Sequence, residues 1–249
     1  MNKIFTLVCF IVLSIAGIGA IIAGTQNKKN SDTFEIVEKA VAEQNISNKN
    51  NDSDINNLNA SELYEKLDIK NIVSFAAFNK ALEGYNKIDN KKKNILTVID
   101  FTKPSNKERM CVIDMDNNKV LHSTVVAHGK NSGELYATSF SNVNGSNKSS
   151  LGFYVTSETY QGGNGYSLRL DGLEKGINDR ARERAIVIHG AAYANKSVAA
   201  NGRRLGRSLG CPALPVNVNK PIINTIKDGS VLFIYAENTD YSKNSEFVS

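Results

Sequence analysis

The chain has 249 residues, 41% of them hydrophobic and 22% charged, which is enough to bury a sizeable core and excludes a disordered or fibrous sequence. That length fits one catalytic domain with a smaller appendage. The net charge of +5 is compatible with an acidic partner, but no block of Lys/Arg alternates with aromatic residues, so no nucleic acid is expected as a partner.

Met1-Asn2-Lys3 is a short cationic start, and Ile4 to Ala23 is almost continuously apolar. Residues 1–24 therefore read as a signal peptide or, because the run is long enough to span a bilayer, as an N-terminal anchor. Either reading sends the rest of the chain across a membrane, to the periplasm or cell envelope. Membrane contact is expected only through this segment, and only if it is not cleaved. Residues 25–59 are rich in Asn, Lys, Ser and Asp and read as a polar, flexible spacer.

Residues 60–93 form a helical prelude. Ser61 is in place to cap a helix containing Leu63, Leu67, Ile69 and Ile72. Phe75, Phe78, Ala81, Leu82 and Tyr85, at three- and four-residue spacing, predict a second helix. From residue 94 to 237 the pattern changes to short apolar runs between turn signals. Strands are predicted at Ile95–Asp100, Met110–Asp114, Val120–Ala127, Leu151–Thr156, Tyr166–Leu170, Ala185–Ile188 and Val231–Tyr235. Asp116-Asn117-Asn118 and Gly162-Gly163-Asn164-Gly165 supply hairpin turns. Pro221 to Lys227 reads as a short helix, and 238–249 as a polar tail. The fold class is mainly β, with few helices.

Two features of this region carry chemistry. Ile186-Val187-Ile188 delivers His189 to the end of a strand, and Gly190 releases the chain into a loop. Ser208-Leu209-Gly210-Cys211-Pro212 places a cysteine in a tight turn, whose glycine permits torsions a β-carbon forbids. A thiol and an imidazole that meet make a nucleophile and a general base. Arg203, Arg204 and Arg207 lie just upstream, and nearby cations favour thiolate over thiol. A disulfide between Cys111 and Cys211 is not expected, because one lies in a strand-like run and the other in a turn. His128, also before a glycine, is a candidate for substrate binding or loop orientation, and His122 reads as an exposed strand residue. The histidines and cysteines lack the tight pairs of a zinc site, and no G-x-S-x-G elbow is present, so neither a metal nor a cofactor is expected.

His189-Gly190 followed by Gly206-Arg207-Ser208-Leu209-Gly210-Cys211-Pro212-Ala213 resembles the signature of the murein L,D-transpeptidase catalytic domain family, the YkuD-like L,D-transpeptidases. Ile99-Asp100-Phe101-Thr102-Lys103-Pro104-Ser105, Val126-Ala127-His128-Gly129, Ser149-Ser150-Leu151-Gly152-Phe153-Tyr154 and Gly165-Tyr166-Ser167-Leu168-Arg169-Leu170 resemble it too, so the likeness spans roughly 60–237. The resemblance implies a β-sandwich-like fold of mixed sheets acting on peptidoglycan stem peptides through a Cys211 thioester. His189 would move the protons, the Gly190 carbonyl would orient the imidazole, and Ser208 and the Gly210 and Cys211 amides would shape the oxyanion site. That makes an L,D-transpeptidase the expected activity; the alternatives are an L,D-carboxypeptidase using the same site, or a catalytically silent peptidoglycan-binding module. Leu209 and Ala213 stand where the broader family has His and Arg, and Arg203, Arg204 or Arg207 would then hold substrate carboxylates.

Overall fold

The computed structural model describes residues 59–248. The leader at 1–24 and nearly all of the spacer at 25–59 lie outside the described residues. Helix α1 spans Ala60–Leu67. It is capped by Asn59 rather than Ser61: the Asn59 side chain accepts the Glu62 N–H at 2.9 Å, and Glu62 Oε2 accepts the Asn59 N–H at 3.1 Å. Asn competes well for this position because its oxygen reaches the orphan amides of the first turn, and the glutamate completes the reciprocal bond. Helix α2, Phe75–Lys87, is capped by Ser74. The two helices meet through Tyr64, whose ring lies 5.3 Å from Phe75 and 5.6 Å from Phe78. Its hydroxyl donates to the Val73 carbonyl at 2.8 Å, so the buried tyrosine leaves no polar atom unpaired.

Eight strands follow: β1 Ile95–Asp100, β2 Met110–Asp114, β3 Lys119–Thr124, β4 Gly152–Gly162, β5 Gly165–Gly172, β6 Val187–Gly190, β7 Ala213–Leu214 and β8 Val231–Tyr235. They form one sheet in the order β3-β2-β1-β8-β4-β5-β6-β7. The pairs β1–β8 and β6–β7 are parallel and the rest antiparallel, so the sheet is mixed, as expected. Strand β8 lies between β1 and β4 and is buried along its whole length, which explains its unbroken Val-Leu-Phe-Ile-Tyr run.

The sheet nearly closes on itself. Its outermost strands are β3 and β7, yet Ala127, three residues past β3, pairs with Ala213 of β7. Ala127 donates to the Ala213 carbonyl at 2.8 Å, and Ala213 donates back at 3.3 Å. The main apolar core includes Phe153 and Phe233, stacked 4.2 Å apart, and a smaller cluster sits at the seam around Ala127 and Ala213.

Several boundaries differ from expectation. Strand β3 stops at Thr124, because residues 125–129 turn to meet β7 and the cysteine turn. Strand β6 starts at Val187 rather than Ala185, which sits in the left-handed region at φ 53°. Helix α3, Val216–Ile226, starts five residues before Pro221, which lies inside it. The amide Pro221 lacks would have bonded Asn217, a solvent-exposed residue whose carbonyl water can satisfy. His122 is half-buried, not exposed, with Nε2 2.9 Å from Thr225 Oγ1 of α3. The stretch read as a polar tail contains helix α4, Thr239–Asn244, and is docked. Tyr241 and Ser245 donate to the buried Glu174 carboxylate at 3.2 and 2.5 Å.

Helix α2 approaches the sheet so closely that a β-carbon on Gly84 would overlap the Phe153 ring. Gly84→Ala is expected to destabilise the domain by about 1–3 kcal/mol through overpacking. Urea denaturation of parent and variant checks this, and equal midpoints would contradict the packing described.

Candidate active site

His189 sits on β6, flanked by Ser167 of β5 and Ala213 of β7 in register. The imidazole is only 3% exposed. Its Nδ1 lies 3.1 Å from the Gly190 carbonyl oxygen, which can only accept, so Nδ1 carries the hydrogen and Nε2 presents a lone pair. Burial lowers the His189 pKa and the Gly190 carbonyl partly opposes this, so the ring is neutral at neutral pH.

The cysteine turn is built by its own serine. Ser208 Oγ accepts the Gly210 N–H at 3.1 Å and donates to the Cys211 carbonyl at 2.6 Å. Gly210 adopts φ 129°, and a β-carbon there would lie 2.9 Å from both Ile186 Cδ1 and the Lys148 carbonyl oxygen, so no other residue fits. On the other side, Ser208 donates to the His128 carbonyl at 2.9 Å and accepts from the Lys130 amide at 2.8 Å. The turn is therefore held from within and by the chain beyond β3.

Because His189 pairs with Ala213, the residue two places after Cys211, the nucleophile candidate falls level with Val187 on the neighbouring strand. Cys211 is unpaired and partly exposed. Its thiol points at the Ala185 carbonyl, 3.6 Å away. Burial raises the Cys211 pKa, with the Val187 amide and the Arg184 charge opposing that rise. The thiol and the imidazole are thus both uncharged at rest. Cys111, by contrast, is fully enclosed in β2, and burial pushes its thiol up to about 12.

The three upstream arginines do not act on the sulfur as expected. Arg204 Nε and Arg207 Nη1 both bind the Glu134 carboxylate, at 2.6 Å each. Arg207 also donates to the Lys130 and Gly133 carbonyls at 2.9 and 3.1 Å, so the two guanidiniums clamp the 129–134 loop. Arg203 is exposed and makes no ion pair among the described residues, its Nε reaching only the Ala200 carbonyl at 3.4 Å. It alone of the three has its guanidinium free of a carboxylate.

His128 is enclosed, 1% exposed, with both ring nitrogens occupied. Nε2–H donates to the Gly133 carbonyl at 3.2 Å, and Nδ1 accepts from Arg109 Nη2 at 2.8 Å. Arg109 is itself fully buried, over the Phe101 ring and bonded to the Val126 and Lys103 carbonyls. His128 thus has no free ring edge for a substrate, and it supports the loop instead.

Two residues beside the cysteine escaped the sequence reading. Arg184 closes a turn whose last residue, Ala185, gives its carbonyl to the Cys211 thiol. Tyr193, in the short 3-10 turn after Gly190, packs on the small cluster of Val125, Ala127, Ala194, Leu205 and Ala213. Burial, and then negative charge at Cys211, push its phenol up to about 12. Tyr193 follows His189 closely enough to have been flagged. Arg184 gives no local signal, because only the register of β6 against β7 brings it to the thiol.

A family profile described as L,D-transpeptidase catalytic domain matches residues 69–235. No curated protein matches the sequence. Among solved structures, an L,D-transpeptidase from Mycobacterium smegmatis is similar at 13% identity and TM-score 0.35, over 57% of this chain and 59% of that one. A helical cell shape determining protein from Campylobacter jejuni is similar at 15% identity and TM-score 0.38, over 63% and 55%. L,D-transpeptidase 3 from Mycobacterium tuberculosis is similar at 11% identity and TM-score 0.36, over 57% and 61%. The chain spans less than two thirds of the length of these structures.

Burial, and then the adjacent Arg109, hold His128 down to about 4. Its unfolded value is near 6.5. A group depressed in this way stabilises the fold above its unfolded value and loses that contribution as pH falls through the folded one. The loss amounts to about 3 kcal/mol. Urea midpoints between pH 7 and pH 4 should fall more steeply for the parent than for His128→Gln, and parallel slopes would contradict the assignment.

Proposed function

The chain belongs to the family of L,D-transpeptidase catalytic domains, and from that premise we propose that it is an exported, cysteine-dependent L,D-transpeptidase acting on peptidoglycan stem peptides in the periplasm or cell envelope. The observation that carries this reading is the pairing of β6 with β7, which sets His189 beside the strand that continues from Cys211.

The His189 Nε2 takes the Cys211 thiol proton. The sulfur attacks the carbonyl that joins an L-centre to a D-residue, forming a C–S bond. His189 returns the proton to the departing amine as the C–N bond breaks. The amine of a second stem peptide then attacks the thioester carbonyl and gives a proton to His189, and as the C–S bond breaks His189 passes that proton to the sulfur. The Gly210 amide is engaged by Ser208, so the Cys211 amide is the donor this turn offers to the oxyanion. Arg203, free of a carboxylate partner, is the cation of the three left for a stem-peptide carboxylate.

The uncharged resting state of both groups sets the expected pH dependence. Catalysis requires unprotonated His189, so kcat/KM should fall on the acid side with a midpoint below the usual 6.5 or so. Purified protein incubated with disaccharide-tetrapeptide should yield a crosslinked dimer by mass. Release of the terminal D-residue alone would assign an L,D-carboxypeptidase. Cys211→Ala should abolish turnover, and His189→Ala should lower it by roughly 10²–10⁴. An active Cys211→Ala protein would refute the nucleophile, and an inert parent would leave a catalytically silent wall-binding module.

A further inference from the structure

Arg184 is the cation built into the cysteine turn. It is half-buried, and its four terminal donors go to uncharged oxygens only. Nη1 donates to the Ser141 carbonyl at 2.7 Å and to Ser150 Oγ at 2.5 Å. Nη2 donates to the Lys148 carbonyl at 2.7 Å and to Ser146 Oγ at 3.3 Å. No carboxylate lies within ion-pair distance of it among the described residues, whereas Arg169, Arg180, Arg182, Arg204 and Arg207 each have one. A buried guanidinium normally finds a counter-charge, since leaving it unpaired forfeits hydration without compensation. Arg184 keeps its full positive charge at a fixed place.

That place is the backbone of the nucleophile turn. Arg184 Nη2 lies 3.6 Å from where a β-carbon on Gly210 would stand, and the Lys148 carbonyl it holds lies 2.9 Å from the same point. The next residue, Ala185, is held at φ 53° by a turn in which Ile186 donates to Ala181 at 2.9 Å and Ala185 donates to Arg182 at 3.1 Å. Its carbonyl then receives the Cys211 thiol. One short segment thus supplies the acceptor for the thiol proton at rest and a cation for the sulfur once the proton is gone.

We propose that Arg184 is the positioning residue that stabilises the sulfur anion of Cys211 as it forms. This rests on the reading of Cys211 as nucleophile. No other group supplies a charge in advance: His189 becomes a cation only by taking the thiol proton, whereas Arg184 is charged beforehand, and the Tyr193 phenol stays protonated across neutral pH. Arg180, the cation beside Arg184, is paired with Glu183.

The test reads the thiol directly and needs no stem peptide. Full-length protein is alkylated with iodoacetamide across pH 6–11 (a thiolate displaces iodide), and modification is scored by mass on the peptide containing Cys211. Arg184→Gln, which keeps donors but loses the charge, should move the midpoint up by about one pH unit, a tenfold drop in rate on the acid side. Arg184→Lys should stay with the parent. Ser150→Ala removes one guanidinium partner and keeps the charge, so its midpoint should also stay. Should Arg184→Gln prove misfolded by circular dichroism, Arg184→Met is read in its place, with the same rise expected and an unmoved midpoint overturning the proposal. An unmoved midpoint in folded Arg184→Gln, or a rise in Ser150→Ala, overturns the proposal. Turnover by Cys211→Ala would instead refute the nucleophile reading, whatever the alkylation profiles show.

Discussion

The closure between residues 127–130 and 208–213 is the constraint on which the site depends. Four backbone bonds join these two stretches, two at Ala127 and Ala213 and two at Ser208. Without that seam the sheet would end in two unrelated edges. Residues 208–212 would then be a surface loop tethered only at Ala213 and Leu214. With it, the turn is gripped on one side by β6 and on the other by the chain leaving β3. A cysteine on such a turn is as fixed as a strand residue while keeping part of its surface open, and fixed geometry is what an acyl-transfer site requires.

Charge is distributed around this seam by a consistent rule. Arginines near the site act as structural forks, each with several donors spent on backbone carbonyls. Arg109 holds Val126 and Lys103, Arg207 holds Lys130 and Gly133, and Arg184 holds Ser141 and Lys148. A planar guanidinium suits this work because one side chain satisfies two or more loop carbonyls that would otherwise be buried without donors. Burial dominates for both Cys211 and His189, which leaves the thiol and the imidazole uncharged at rest.

The sheet was legible where its residues alternate or run continuously apolar. Strands at 95–100, 110–114 and 231–235 stand where the pattern places them, and the Gly163-Asn164 turn closes its hairpin as Gly-Asn chemistry requires. The His189 and Cys211 candidates were legible from local framing by glycine and proline. Other features were not, because they depend on partners distant in sequence. The reach of α3 back to Val216 is decided by packing on β6 rather than by Pro221. Asn59, by contrast, outcompeted Ser61 by local chemistry, since Glu62 stands three residues after Asn59 whereas Tyr64 stands three after Ser61. The arginine at 184 and the enclosure of His128 follow from tertiary register, to which spacing in the sequence is blind.

The two-residue strand β7 has one more consequence. Ala213 directs both its amide and its carbonyl outward, to Ala127, while the Leu214 carbonyl turns inward to the Ala191 amide. The strand leading from Cys211 therefore has no vacant hydrogen-bonding rim. An extended peptide cannot dock there by adding itself as a further strand, a mode that needs a bare edge. The loops at 129–150 and 191–207 lie outside this sheet and can vary without disturbing the strands that carry His189 and lead from Cys211.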